Sequence, residues 1–226
     1  MVTTNESVST PLETTLAEKR VSFYNLSWQS YKQILGALGN KRAARLTYYK
    51  GTLEIVSPLE EHESASDRIG ILIHILTEEF NLNVKSMAST TLNKPELKVG
   101  AEPDKCYYIQ NEPKVRGKIV DLATDPPPDL ILEVDITHTD INKTQLYQDM
   151  KVPEFWRYNG KVLTIYLLNE DRYIESVTSP TFPLLTKLKI YEFLAQCNTE
   201  GETQTKRFFR TWLREQGCEL KKCGVE

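Results

Sequence analysis

Apolar and polar residues alternate along this chain with two distinct periods, and the places where the period changes mark out its elements. Trp28, Tyr31, Ile34, Leu35 and Leu38 recur at helical spacing after Ser27, a residue suited to an N-cap, and the run stops at Gly39. Arg45 to Tyr49 and Thr52 to Val56 read as strands joined by Lys50-Gly51, hence a hairpin. Ile69, Leu72, Ile73, Leu76 and Phe80 form one stripe, the best amphipathic helix in the chain, over about His62 to Phe80. Val84 to Thr90 reads as a strand, Pro95 to Gly100 as a loop, and Cys106 to Ile109 and Lys118 to Leu122 as further strands.

Leu130, Ile131, Leu132, Val134 and Ile136 then make an almost uninterrupted apolar run, the mark of a central strand buried on both faces. Three prolines, Pro126 to Pro128, form a rigid lead-in. Caps in Thr137 to Asp140 introduce a short helix carrying Lys143, Leu146, Tyr147 and Met150, which Val152-Pro153 stops. Glu154 to Tyr158 and Val162 to Leu168 flank Asn159-Gly160, the preferred two-residue hairpin turn. A strand near Tyr173 to Val177 and helices near Leu188 to Gln196 and Thr203 to Gln216 end the pattern. The order predicts a mixed α/β (α+β) domain rather than regularly alternating βα units.

The 226 residues suffice for one well-buried domain, with 40% hydrophobic and 26% charged residues, as in ordinary globular proteins. We divide the chain into a flexible polar tail over 1–20, a main domain over 21–198 and a helical extension over 199–226. The start lacks the cationic and apolar blocks of a secretory signal, and no apolar run reaches membrane-spanning length, so a cytoplasmic protein without membrane contact is expected. The four cysteines, Cys106, Cys197, Cys218 and Cys223, form no CxxC pair, and His62, His74 and His138 are scattered. That argues against structural zinc and for reduced thiols. The net charge of −3 is a mild argument against a nucleic-acid binder, although Lys41-Arg42 with Arg45, and Lys206-Arg207 with Arg210, offer local phosphate contacts. Phosphate loops, dinucleotide-binding glycine turns, nucleophile elbows and HExxH pairs are all missing from the sequence.

Candidate chemistry rests on carboxylates in apolar surroundings. Glu133 interrupts the central run, where a charge is costly unless paired or bound to a cation. Asp104 precedes the Cys106 strand. Two acids on neighbouring strands with a lysine, Lys143, on the next helix suit a magnesium-dependent phosphodiester hydrolase. The acids would be the metal ligands, and the lysine would position or help deprotonate water or stabilise phosphate charge. Manganese is the alternative ion. The rival reading is a non-catalytic binding or regulatory module in which Glu133 and Lys143 form a structural ion pair.

The series Glu102-Pro103-Asp104, Pro128-Asp129-Leu130-Ile131-Leu132-Glu133-Val134, Lys143 with Tyr147, and Val152-Pro153-Glu154-Phe155-Trp156 resembles the Uma-type family of bacterial endonucleases, within the PD-(D/E)xK nuclease superfamily. Gly51, Leu53, Ile55, Ser57-Pro58 and His62 match its N-terminal signature, and the likeness runs from about residue 27 to 195. The resemblance implies a restriction-endonuclease-like core, a central mixed sheet flanked by helices, with Asp104, Glu133 and a displaced Lys143 in the catalytic roles and DNA as substrate. Thr47 stands where the family has a first-strand glutamate, and Asp135 where the superfamily has lysine. Asp135 is either a further ligand or solvent-facing. His62 reads as a solvated or capping residue, Glu78 and Glu79 as a solvated face, and Phe155 and Trp156 as core. The aromatic stripe of the Lys206 to Arg214 segment reads as packing on the domain or on a partner subunit. A two-fold homodimer would suit cutting both strands, although no residue pattern demands it.

Overall fold

The structure is a computed structural model, and it describes residues 18–39 and 42–222, with side chains to 216. The tail residues 1–17, Lys41, Cys223 and the Cys218 side chain lie outside the described set. Among the described residues, eleven strands form two sheets. The five-stranded sheet has the order β1 (Lys19–Phe23), β3 (Thr52–Ser57), β2 (Arg45–Tyr49), β6 (Val99–Ala101), β5 (Leu92–Lys94), each neighbour antiparallel. The six-stranded sheet has the order β11 (Arg172–Ser176), β10 (Leu163–Asn169), β9 (Glu154–Tyr158), β8 (Leu130–Val134), β7 (Lys105–Tyr108), β4 (Lys85–Met87). It is mixed, because β8 and β9 run parallel and are joined through α4 (Lys143–Asp149). Such a crossover needs an intervening helix, whereas the antiparallel pairs β2–β3 and β9–β10 close through short turns.

Every residue of β8 is buried, which agrees with a strand covered on both faces. Its alternation sorts the two layers. Leu130 and Leu132 join Trp156 and Ile165 against α2 (Glu60–Glu79), α5 (Lys187–Thr199) and α6 (Glu202–Lys222). Ile131 and Phe155 face the other way, onto Leu146 and Tyr147 of α4, its C-cap Met150, and Tyr49, Val99 and Ala101 of the smaller sheet. Glu133 shares the parity of Ile131, so its side chain belongs to the α4 side, beside the second sheet. A third cluster packs Tyr31 of α1 (Trp28–Leu38) on Leu46, Tyr48 and Leu53.

Several expectations hold closely. Ser27 caps α1 through its side chain, accepting from Ser30 N–H, and Gly39 ends it. Lys50 and Gly51 both take positive φ, 48° and 85°, as a tight hairpin turn matched to strand twist requires. Phe155 and Trp156 are core, and Phe209 and Leu213 of α6 pack into the main cluster. Cys106 and Cys197 are free thiols. Among the described residues no helix is long and apolar enough to cross a membrane.

Other expectations are corrected. The polar tail does not extend to residue 20: Lys19 already opens β1, and Glu18 is buried. Lys118 to Leu122 forms no strand, because Asp125 accepts from Asp121 N–H at 2.9 Å and from Lys118 at 2.5 Å, curling the segment into local turns that leave Ile119 exposed. The β9–β10 connection is longer than two residues: β10 begins at Leu163, Asn159 N–H bonds Val162 O, and Gly160 takes φ 88°. The expected loop over Pro95 to Gly100 holds a 3-10 turn at Pro95–Leu97 and the start of β6, and the unexpected strand β5 leads into it. The helix α3 (Glu112–Val115) was not anticipated, and Asn142 rather than a residue in 137–140 caps α4.

Candidate active site

Strand register brings the two predicted acids together. β7 and β8 pair Lys105 with Leu132 and Cys106 with Ile131, so one further step sets Asp104 across from Glu133. Residues facing each other in an antiparallel pair share a face, with Cβ atoms about 5 Å apart. Asp104 is fixed there by its Oδ2, which accepts Val134 N–H at 2.6 Å. Its Oδ1 meets His62 Nε2 at 2.8 Å and the Arg45 guanidinium. Asp104 and Glu133 are each 2% exposed.

Lys143, the first residue of α4, reaches back over the end of β8 and donates from Nζ to Glu133 Oε2 at 2.7 Å and to Asp135 Oδ1 at 2.6 Å. Burial alone would favour its neutral amine, but Asp135 and Glu133 outweigh it and push the ammonium above its ordinary range. The Tyr147 hydroxyl, one turn along α4, donates to Glu133 Oε1; burial first, then the Glu133 charge, keeps it protonated. Asp135 does not face solvent. Burial pushes its carboxyl up, yet Lys143 and Arg157, whose Nε donates at 2.9 Å, hold it below the usual carboxylate range.

The second sheet supplies the opposite wall. Thr47 of β2 and Glu54 of β3 are register partners, and both line the same cavity as Asp104, Glu133, Asp135 and Lys143. Glu54 accepts from the Thr139 hydroxyl at 3.0 Å and from Asp140 N–H at 2.9 Å, and it pairs with Arg20. Glu102 accepts Leu46 N–H at 2.8 Å and the Thr91 hydroxyl at 2.5 Å, and it pairs with Arg42. The cavity measures about 20 Å³, room for about one water-sized particle.

His62 is the chief correction at the site. It is neither solvated nor a cap: its Nδ1 meets Glu18 Oε1 at 2.6 Å while Nε2 serves Asp104, linking the chain's first described residue to the acid. Burial raises the Glu18 carboxyl, but His62, Thr137 and Arg20 together bring it down to about 2. Glu79 lies away from the cavity, bonded to Arg210 and Arg214 across the α2–α6 seam, and the Glu78 side chain is 67% exposed. The His138 side chain is 88% exposed and takes no part. Sequence reasoning missed Glu18, Arg20 and Glu54, and it offered Arg45 as a phosphate contact rather than as the partner of Asp104. Glu54 carried a legible signal, since it stands between Leu53 and Ile55 as Glu133 stands between Leu132 and Val134.

The donors suit a hard cation, since all are carboxylate oxygens. Among the described residues no group of three or more Asp, Glu, His or Cys side chains is arranged to hold an ion. Magnesium commonly takes only one or two protein carboxylates and completes its shell with water and phosphate oxygens.

Known proteins bear on the same region. No curated protein matches the chain. A solved structure from Anabaena variabilis ATCC 29413, described as "a putative nuclease belonging to DUF820", is similar with a TM-score of 0.46 and 13% identity, over 74% of this chain and 98% of that one. The model of the Uma2 family, described as "Putative restriction endonuclease", matches residues 28–197, which include Asp104, Glu133, Lys143 and His62. The chain belongs to the Uma2 family.

Proposed function

We propose that the protein is a metal-dependent endonuclease that hydrolyses phosphodiester bonds of DNA, with Asp104 and Glu133 as ligands of magnesium or manganese. The observation that carries the reading is that Asp104, just before β7, and Glu133 of the neighbouring β8 line one cavity together with Lys143. Family membership supports the nuclease class.

Bound there, the ion would polarise the phosphate and lower the pKa of a water. The chain's residues do the rest. Val134 N–H and His62 hold Asp104 in one orientation, and Tyr147 and Lys143 do so for Glu133. Lys143 Nζ, fixed by its bonds to Glu133 and Asp135, is a positive donor placed to stabilise charge on the phosphoryl oxygens.

The test is nicking of supercoiled plasmid with magnesium or manganese by wild type, Asp104→Ala and Glu133→Ala. Nicking by wild type alone is expected. Equal nicking by all three, or none by wild type, would overturn the proposal.

A further inference from the structure

Next to the acidic cavity, and sharing Arg45 and Glu102 with it, is a cleft of about 390 Å³ whose other polar lining is Arg42, Ser89, Thr90 and Thr91. We propose that this cleft is a subsite for a non-scissile backbone phosphate of nucleic acid. The inference rests on the nuclease reading above and gives it a second point of attachment for the substrate.

The hydrogen-bonding groups of the cleft, two guanidinium groups and three hydroxyls, suit an oxyanion. Glu102, the acid of the cleft, is already committed to Leu46 N–H, the Thr91 hydroxyl and Arg42. The Arg42 Nε–H is buried and has no acceptor among the described residues. A buried donor left open costs about 1–3 kcal/mol, so a shift of the Arg42 side chain that turned Nε–H into the cleft would be repaid by a phosphate oxygen. Arg45 Nε donates to the Ser89 hydroxyl at 3.2 Å while its other nitrogens reach Asp104 and Glu63, so one guanidinium joins the cleft to the acid. Ser89 is anchored beside that acid, its N–H bonding Pro103 O at 3.2 Å. Forked guanidinium donors and hydroxyls are the usual partners of backbone phosphate. A protein of net charge −3 has no general field to attract a polyanion, so attachment must come from such a local basic feature.

The measurement is fluorescence anisotropy of a labelled DNA duplex in EDTA, at several salt concentrations, for wild type, Arg42→Gln, Ser89→Glu and a control, Arg172→Gln on the far edge strand β11. Both cleft variants are expected to bind roughly tenfold or more weakly. For Arg42→Gln the slope of log affinity against log salt should shrink by about one. The control should match wild type. Unchanged affinity and slope in both cleft variants, or no duplex binding by wild type, overturns the subsite. If Arg42→Gln fails to fold, Ser89→Glu decides alone, because that side chain is exposed. Plasmid nicking separates the two ideas. Cleavage with cleft-independent binding removes the subsite and leaves the nuclease; cleft-dependent binding without cleavage does the reverse.

Discussion

Lys143 is held between two carboxylates with 9% of its side chain exposed, and most of the site's electrostatics follows from that placement. Replacing it by methionine keeps the length but strands Glu133 and Asp135 in a buried layer. Removing one partner of such a set costs about 3–5 kcal/mol, so Lys143→Met should lower the urea midpoint of unfolding accordingly. A change below about 1 kcal/mol, the scale of an exposed ion pair, would mean that the lysine is not buried as described. Glu18 gives a pH signature. Its folded pKa of about 2 lies below the ordinary 4.5, so its contribution to stability is complete above 4.5 and is lost as pH falls toward 2. The stability gap between wild type and Glu18→Gln should therefore close across that window. A gap that stays constant would show that Glu18 is not held ionised by His62, Thr137 and Arg20.

Elements whose cause is local were legible, and those whose cause is distant were not. The cap at Ser27, the Lys50-Gly51 turn and the stripe on α2 are written within a few residues of where they act. β1 and β6 are short, and their reason to be strands lies in partners remote in sequence, as with Lys19 against Ser57 and Gly100 against Tyr48, while β5 is a three-residue edge strand that pairs with β6. Lys118 to Leu122 misled because apolar residues there suggested a ladder that local aspartate bonds displace. The same division runs through the site. Asp104, Glu133 and Lys143 could be picked out, because a carboxylate in an apolar run is conspicuous and the family series orders them. Arg45 and Glu18 could not, since nothing beside them records that they end at Asp104 and His62. One element-level contact is testable at Gly100 on β6. A methyl group added there would sit 2.2 Å from the hydroxyl of fully buried Tyr31, which bonds Asn93 at 2.9 Å. Gly100→Ala should therefore cost about 1–3 kcal/mol by pushing α1 off its sheet, read as a lowered Tm. An unchanged Tm would mean that this seam is loose.

At the scale of the molecule, the site sits where two sheets meet, with carboxylates contributed from both. Glu54 and Glu102 bond across to Arg20 and Arg42, Asp104 to Arg45, and Glu133 and Asp135 to Lys143. Each acid thus has a cation from the chain itself. In small zinc domains the metal supplies the folding energy and its removal unravels the chain; here each of these acids is balanced by a cation of the chain. Exhaustive chelation should leave the unfolding midpoint unmoved, and a fall in Tm on adding EDTA would contradict this. The incoming ion would then serve the reaction, unconsumed by it, rather than hold up the fold. It would have to compete with resident guanidinium and ammonium groups for every oxygen it takes, so catalysis could be switched by metal supply while the folded protein persists unchanged.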